Sequence, residues 1–313
     1  MRELAAQVPT NVTVDPDQLV GFLQRLADHV AADRCVDLSP PVPDGAVLRR
    51  DGRPINEATI DRALTTRAIL DEEERIVEWE QRQRRLARII DTTPRGLDTQ
   101  DLSAGQAEVC RAVAGMAPLE LIVGPAGSGK TTALTPAVAY LHDRGQTVFG
   151  VASTATAAEV LGTETTMAAD TLDKLLYEHT RPDRPPQPVF DLPRGSTVIV
   201  DEAGTVSTPQ LAALTRLADE RAWRVVMVGD PRQFSTVGRG GMFAHLIDIQ
   251  GAIELDHIHR FTHPWERDAT RRLRNGDVTV IDEYQHHGRL HDGTPDEMED
   301  RHRRRLERSP PAG

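Results

Sequence analysis

Cysteine is scarce: Cys35 and Cys110 are the two in 313 residues. They stand far apart and form no Cys-x-x-Cys pair, which excludes a disulfide framework or zinc ribbon and suits a reducing cytoplasm. Long apolar runs are missing too. No window approaches the roughly 20 apolar residues of a membrane span, and Met1 to Pro16 contains no apolar core of the kind a secretory signal needs. Lysine is almost absent, since Lys130 and Lys174 are the two lysines among 37 basic residues and all the others are arginine. Positive charge is in deficit, with a net charge of −11. That argues at first against a nucleic-acid partner, although a local basic groove can bind phosphate on an acidic molecule. What is present, 39% hydrophobic and 27% charged residues, suits one or two globular domains with a sizeable core.

Asp15-Pro16-Asp17-Gln18 reads as a helix start, with a capping side chain, proline at the first helical position and Gln three residues after the cap. Leu19, Phe22, Leu23, Leu26 and Val30 come next at helical spacing. After a break at Pro40, Pro41 and Pro43, a longer helix is expected from about Thr66 to Ile90. Its apolar residues would pack against the chain's own N-terminal region. Glu78 with Arg82 and Glu80 with Arg84 would pair on its wet face. Beyond Pro94 short apolar runs alternate with helix-length segments: Leu119–Val123, Thr147–Val151, Thr197–Val200, Arg224–Val228 and Ala252–Leu255. Unpatterned runs of about five residues suit strands buried on both faces of a parallel sheet. The expected fold class is therefore α/β, a parallel sheet flanked by helices and preceded by a smaller, mainly helical region. The expected division is 1–101 helical, 102–291 sheet domain and 292–313 a charged tail. Arg181 to Gly195, rich in proline, reads as a surface loop.

Gly124-Pro125-Ala126-Gly127-Ser128-Gly129-Lys130-Thr131 matches G-x-x-x-x-G-K-[ST] at every fixed position, after an apolar strand and before a helix that begins with Thr131 and Thr132. That context makes it a phosphate-binding loop, whose glycines let backbone N–H groups converge on phosphate oxygens. Lys130 would reach the β- and γ-phosphates of ATP, and the Thr131 hydroxyl would bind Mg²⁺. A second Mg²⁺ ligand is expected in Asp201, where the strand Val198-Ile199-Val200 ends in two acids. Glu202 would polarise the attacking water. Another apolar strand ends in Gly229-Asp230-Pro231-Arg232-Gln233, which places a neutral amide, Gln233, to sense the γ-phosphate.

Together these residues resemble the first RecA-like motor domain of a superfamily 1 DNA helicase, in the RecD/TraA branch that includes the helicase half of conjugative relaxases. The resemblance is strong from about Leu102 to Arg289 and weaker from Ala46 to Trp79. It implies a P-loop NTPase fold, ATP and Mg²⁺, and 5′ to 3′ translocation on single-stranded DNA. Leu102-Ser103-Ala104-Gly105-Gln106 resembles the Q motif, in which Gln106 would contact adenine. Val151 to Ala158 resembles the segment that contacts single-stranded DNA, here through Ser153, Thr154 and Thr156. The family usually has Pro-Thr-Gly where this chain has Ser153-Thr154-Ala155. Ile258-His259-Arg260-Phe261 resembles the motif whose arginine touches the γ-phosphate, which makes Arg260 the candidate finger. His257, His259, His263, His286, His287 and His291 cluster, but the arginine motif accounts for the first part of that segment without a metal.

Relatives of this kind bind ATP between two RecA-like domains. The stretch beyond Arg289 is too short for a second domain of ~100 residues or more, so a separate chain carrying that domain, or a relaxase, is an expected partner. The main alternative is a split or truncated remnant that binds ATP and DNA without unwinding. A P-loop kinase fits less well, since such enzymes rarely need the Gly-Asp-Pro-x-Gln strand end.

Overall fold

A computed structural model describes residues 15–38, 45, 47–48, 64–125, 127–233, 239–255, 263–274, 276–290, 293–294 and 298. Helix α1 (Pro16–Arg34) leads into β1 (Cys35–Asp37), which pairs antiparallel with β2 (Leu64–Thr66). The long helix expected next is α2, Arg67–Ala87, and the Thr66 hydroxyl caps it by accepting from the Ile69 N–H at 3.3 Å.

The main sheet has six parallel strands: β3 (Leu119–Val123), β4 (Val148–Ala152), β5 (Ala168–Thr171), β6 (Thr197–Val200), β7 (Arg224–Gly229) and β8 (Ile253–Glu254). Their spatial order is β5-β4-β6-β7-β3-β8. The intervening helices are α3 (Ala104–Ala114), α4 (Lys130–Asp143), α5 (Ala155–Thr165), α6 (Leu172–Thr180), α7 (Thr208–Arg221) and α8 (Met242–Gln250). The expected α/β class is observed. From β3 the chain crosses to β4 on one side, and from β7 it crosses to β8 on the other. Right-handed crossovers in opposite directions put helices on opposite faces. One core accordingly gathers α3, α4 and α5 around Ile122, Ile199 and Val228, and the other gathers α6, α7 and α8 around Leu121, Val198 and Val200. Neighbouring strand residues thus serve different cores, which is why these runs are apolar nearly throughout, without a period of two.

Helix α2 packs on the second face. Ile76 and Trp79 are buried in the same core as Leu211, Leu214 and Leu246, so its apolar side meets the sheet domain, a packing partner the sequence reading did not give it. Each contributes about 2–3 kcal/mol by burial. The expected wet-face pairing also needs correcting. Glu80 is fully buried, and its carboxylate accepts from Arg84 Nε at 2.8 Å and Nη2 at 3.2 Å. Arg82 reaches across to Asp219 on α7 at 2.7 Å. The proline-rich segment is no plain surface loop either, since Phe190 and Leu192 lie in the core. Glu178, fully buried at the end of α6, anchors it by accepting from the Gln187 N–H and Nε2, both at 3.0 Å, while pairing with Lys174 and Arg181.

His179 closes the same region. Its ring packs edge-on to Trp223 at 5.1 Å, and Nε2 lies 2.9 Å from the Phe190 carbonyl. With the proton on Nε2, Nδ1 is left to accept from Arg221 Nη2 at 3.4 Å. Burial holds the imidazole pKa below its ordinary value. The unfolded chain therefore binds the proton more tightly, and stability is complete above pH 6.5 and falls as the pH drops below it. Thermal melts at pH 7.5 and 5.5 should show this loss in the native chain, and His179→Gln should remove the contribution of this site to it.

Arg224 opens β7 fully inside the protein. It donates to the carbonyls of Ala117 (2.6 Å), Val113 (2.7 Å) and Ala112 (2.7 Å). Ala112 and Val113 lie in the last turn of α3 and Ala117 just beyond it, so the guanidinium ties the end of that helix to β7. Burial pulls its pKa down to about 10, against Glu120. The clamp fixes α3, whose other end reaches the phosphate-binding loop.

Near the C-terminus α9 (Pro264–Arg274) and α10 (Val280–His286) form a helical pair. Trp265 stacks flat on His287 at 3.8 Å, and Arg272 bridges Asp277 and Glu283 at 2.9 and 3.0 Å. Ala126, Arg260, His257, His259, His291 and nearly all of the charged tail lie outside the described residues.

Candidate nucleotide site

The crossover reversal at β3 opens a crevice beyond its carboxyl end, the place where α/β sheets bind ligands. The Gly124–Thr131 loop sits there, running from β3 into α4. Gly127 and Gly129 have φ of +76° and +80°, conformations that an L side chain adopts only with strain. Gly124 is equally constrained, because a Cβ there would lie 2.8 Å from both Lys130 Cγ and Ser128 Oγ. Lys130 Nζ donates back to the carbonyls of Gly124 (2.9 Å) and Pro125 (3.3 Å). Its charge thus rests at the mouth of the loop. Ser128 Oγ is buried without a hydrogen-bond partner among the described residues, an orphan that a bound oxyanion would satisfy. Thr131 and the exposed Thr132 start α4, where the helix dipole favours an anion.

Gln106 supports this loop from α3. Ser103 and Gln106 form a reciprocal capping box in which Gln106 Oε1 accepts from the Ser103 N–H at 3.1 Å. Its Nε2 fills the space beside Gly129, only 2.3 Å from where a Cβ would stand. Gly129→Ala should therefore displace Gln106 and strain the loop. Nucleotide titration should show affinity lowered at least tenfold, with the fold retained.

The acids arrive from β6. One strand, β7, separates β6 from β3, so at ~4.8 Å per strand their ends stand about 10 Å apart. That gap leaves room for a phosphate between the loop and the acids. Close backbone approach holds the ends together: a Cβ on Gly204 would lie 2.6 Å from the Asp230 carbonyl oxygen, and one on Gly229 2.9 Å from the Ala203 nitrogen. Gly124 N–H also donates to the Gly229 carbonyl at 3.0 Å. Asp201 is half-buried, and burial raises its carboxyl above the usual range, while its hydrogen bond from the Glu202 N–H and the Lys130 charge pull it back. Glu202 and Glu164 add negative charge nearby.

A divalent cation would relieve that crowding. Among the described residues no group of three or more His, Cys, Asp or Glu could hold a metal. Thr131 and Asp201 carry oxygen donors of the kind Mg²⁺ takes, one or two from protein with phosphate and water completing the shell.

Glu202 has a left-handed backbone, φ +53°. Its N–H donates to Asp201 Oδ1 at 2.8 Å, and its carbonyl accepts from the Thr205 hydroxyl at 2.8 Å. Its carboxylate accepts from Ser153 Oγ at 2.8 Å. Ser153 therefore turns inward, while Thr154 and Thr156 are exposed at the start of α5, which Thr154 caps. Gln233 is exposed one turn beyond Asp230. Sequence reasoning missed the Ser153–Glu202 contact, which depends on strand register between residues 49 apart in sequence.

The fold and the loop define a P-loop NTPase with a RecA-like parallel sheet. The chain belongs to the family described as an AAA domain, which matches residues 101–295. It is 33% identical over 192 residues to a probable conjugal transfer protein TraA of Sinorhizobium fredii, a match covering 60% of this chain and 17% of that protein. It is 31% identical over 179 residues to the conjugal transfer protein TraA of Agrobacterium fabrum, covering 56% of this chain and 16% of that protein. The chain thus spans about a sixth of the curated relatives it matches. The Pif1 helicase of Candida albicans aligns with a TM-score of 0.45 and 20% identity, covering 62% of this chain and 49% of that one. The likeness to the TraA branch drawn from the motifs is borne out. Among the described residues no helix is long and apolar enough to cross a membrane.

Proposed function

We propose that this chain is the ATP-binding and ATP-hydrolysing motor domain of a conjugation-associated DNA helicase, working 5′ to 3′ on single-stranded DNA in the cytoplasm. One observation carries the reading: the Lys130 loop and the Asp201–Glu202 pair converge at one carboxyl edge of the sheet, with β7 spacing them. Lys130 swings from the loop carbonyls onto the β- and γ-phosphates. Glu202 takes a proton from water as the water oxygen attacks the γ-phosphorus and the bond to the ADP oxygen breaks. Thr131 and Asp201 would hold Mg²⁺, which would supply neutralising charge on the phosphates. Gln233 senses the γ-phosphate, Arg260 is the finger, Gln106 meets adenine, and Thr154 and Thr156 face the DNA. Catalysis is mainly positioning and charge stabilisation. Residues 102–291 form the motor, with α2 as a strut, and a second RecA-like domain, in this or another chain, completes the ATP site.

Steady-state ATPase measured while single-stranded DNA is titrated tests this, with Lys130→Ala as blank. Stimulation by DNA above the blank is expected. A rate at the blank's level throughout would favour a nucleotide-binding module that does not drive a motor. That alternative draws on the small share of the TraA proteins that the match covers.

A further inference from the structure

We infer that α1 is a strap that closes over a cleft between α2 and α7 of its own chain, turning at the β1–β2 ribbon to seat Phe22 over Trp79. The inference stands apart from the nucleotide chemistry proposed above. The cleft lies where α2 packs against α7 and has a volume of about 750 Å³. Ile76, Trp79, Pro209, Ala212 and Ala213 line it with apolar surface, and its rim is charged. Helix α1 carries the matching half. Leu23 is buried, but Phe22, Leu26 and Val30 form an i,i+4,i+8 ridge of the kind that packs into the groove between helices. Phe22 is 53% exposed and Val30 43%. Among the described residues no side chain of α1 belongs to either core of the sheet domain. The hydrophobic effect favours any position of α1 that covers this ridge.

Chain geometry brings ridge and cleft together. Cys35 pairs with Thr66 in the ribbon; Cys35 directly follows α1, and Thr66 directly precedes α2. Both helices therefore leave the same end of the ribbon and, laid side by side, run antiparallel. At about 1.5 Å per residue, Phe22 and Trp79 each stand about 20 Å from that end, and Leu26 and Ile76 each stand about 14–15 Å from it. The ridge meets the cleft without a shift in register. Charge agrees. Arg82 reaches across to Asp219, which leaves Glu78 on the rim without an ion pair among the described residues, and Arg25 beside the ridge is without one too. Closure brings these two within reach, at about 18 and about 15 Å from the ribbon. The same rim includes Glu72, which holds Arg239 at 2.7 Å, and the Arg239 carbonyl accepts from the Thr208 N–H at the start of α7 at 2.9 Å. A closed strap thus braces the junction where α2 and α7 meet the chain leading into α8.

Disulfide trapping in the full chain tests the strap, with Cys35→Ser as background and Cys110 buried out of reach. Leu26→Cys combined with Arg75→Cys should oxidise to a disulfide within one chain in most molecules. Gln24→Cys combined with Arg75→Cys should not, because Gln24 lies on the other side of α1 from Phe22 and Leu26. No disulfide in the first pair, or equal yields in the two pairs, would overturn the strap. A disulfide between two chains, seen as a dimer on a non-reducing gel, would overturn it as well and make a second copy the occupant. Melting gives a readout without cysteines. An exposed phenylalanine is replaced at little cost, whereas one that spends its time in the cleft is not. Phe22→Asp should therefore lower the melting temperature by about 3–6 °C, and Gln24→Asp by at most about 1 °C. Equal shifts in the two variants, or none in either, would contradict closure.

Discussion

Lys130→Ala is expected to lower ATP hydrolysis by at least ~10²-fold, the usual cost of removing a preorganised charge from a site where negative charge develops. Few molecules offer so clean a test, because lysine is almost absent from the sequence. Among the described residues the hydrogen-bond partners of the Lys130 ammonium are backbone carbonyls, Gly124 at 2.9 Å and Pro125 at 3.3 Å, so its removal breaks no direct ion pair, although Asp201 loses a nearby positive charge. The fold should survive and its melting temperature should change little. Lys174 is the natural control. It lies on α6, paired with Glu178 at 3.1 Å, and Lys174→Ala should leave hydrolysis within about twofold of native. That variant should cost only modest stability, since Arg181 and Gln187 still serve the buried carboxylate. Parallel loss of activity in both variants would mean that Lys130 acts through general folding.

Glu202→Gln is expected to separate binding from chemistry. The amide keeps the shape of the side chain and can still accept from Ser153, while losing the basicity that takes a proton from water. Mg²⁺-ATP should bind with near-native affinity, and hydrolysis should fall by ~10²–10⁴-fold, the range of a general base. Equal loss of binding and hydrolysis would instead place Glu202 among the groups that hold the nucleotide. Single-turnover hydrolysis and equilibrium binding on the same preparation distinguish these outcomes.

The features legible in the sequence are those encoded locally. The Gly124–Thr131 loop needs glycine at fixed positions, and Gly127 and Gly129 do take positive φ. Strands β3, β6 and β7 read as largely apolar, apart from Glu120, Thr197 and Arg224, because each serves two cores. Strand β5 did not stand out, since Ala-Ala-Asp-Thr carries little β-propensity and its pairing with β4 at the sheet edge is supplied by the fold. Glu80 misled for a related reason. Its i,i+4 spacing to Arg84 is a surface pattern on an isolated helix, and only the packing of α2 on the sheet buries it. Arg224, Phe190 and Ser153 share that character: each takes its role from a partner distant in sequence. Pairing across 49 residues, as between Ser153 and Glu202, comes from register and leaves no mark in composition or spacing.

The central claim is that the loop at the end of β3 is a nucleotide site built on Lys130. Isothermal titration of Mg²⁺-ATP into the chain, beside Lys130→Ala, tests it most directly. One saturable site per chain, weakened at least tenfold in the variant, is the predicted result. No binding to the native chain, or equal binding to both proteins, would contradict it.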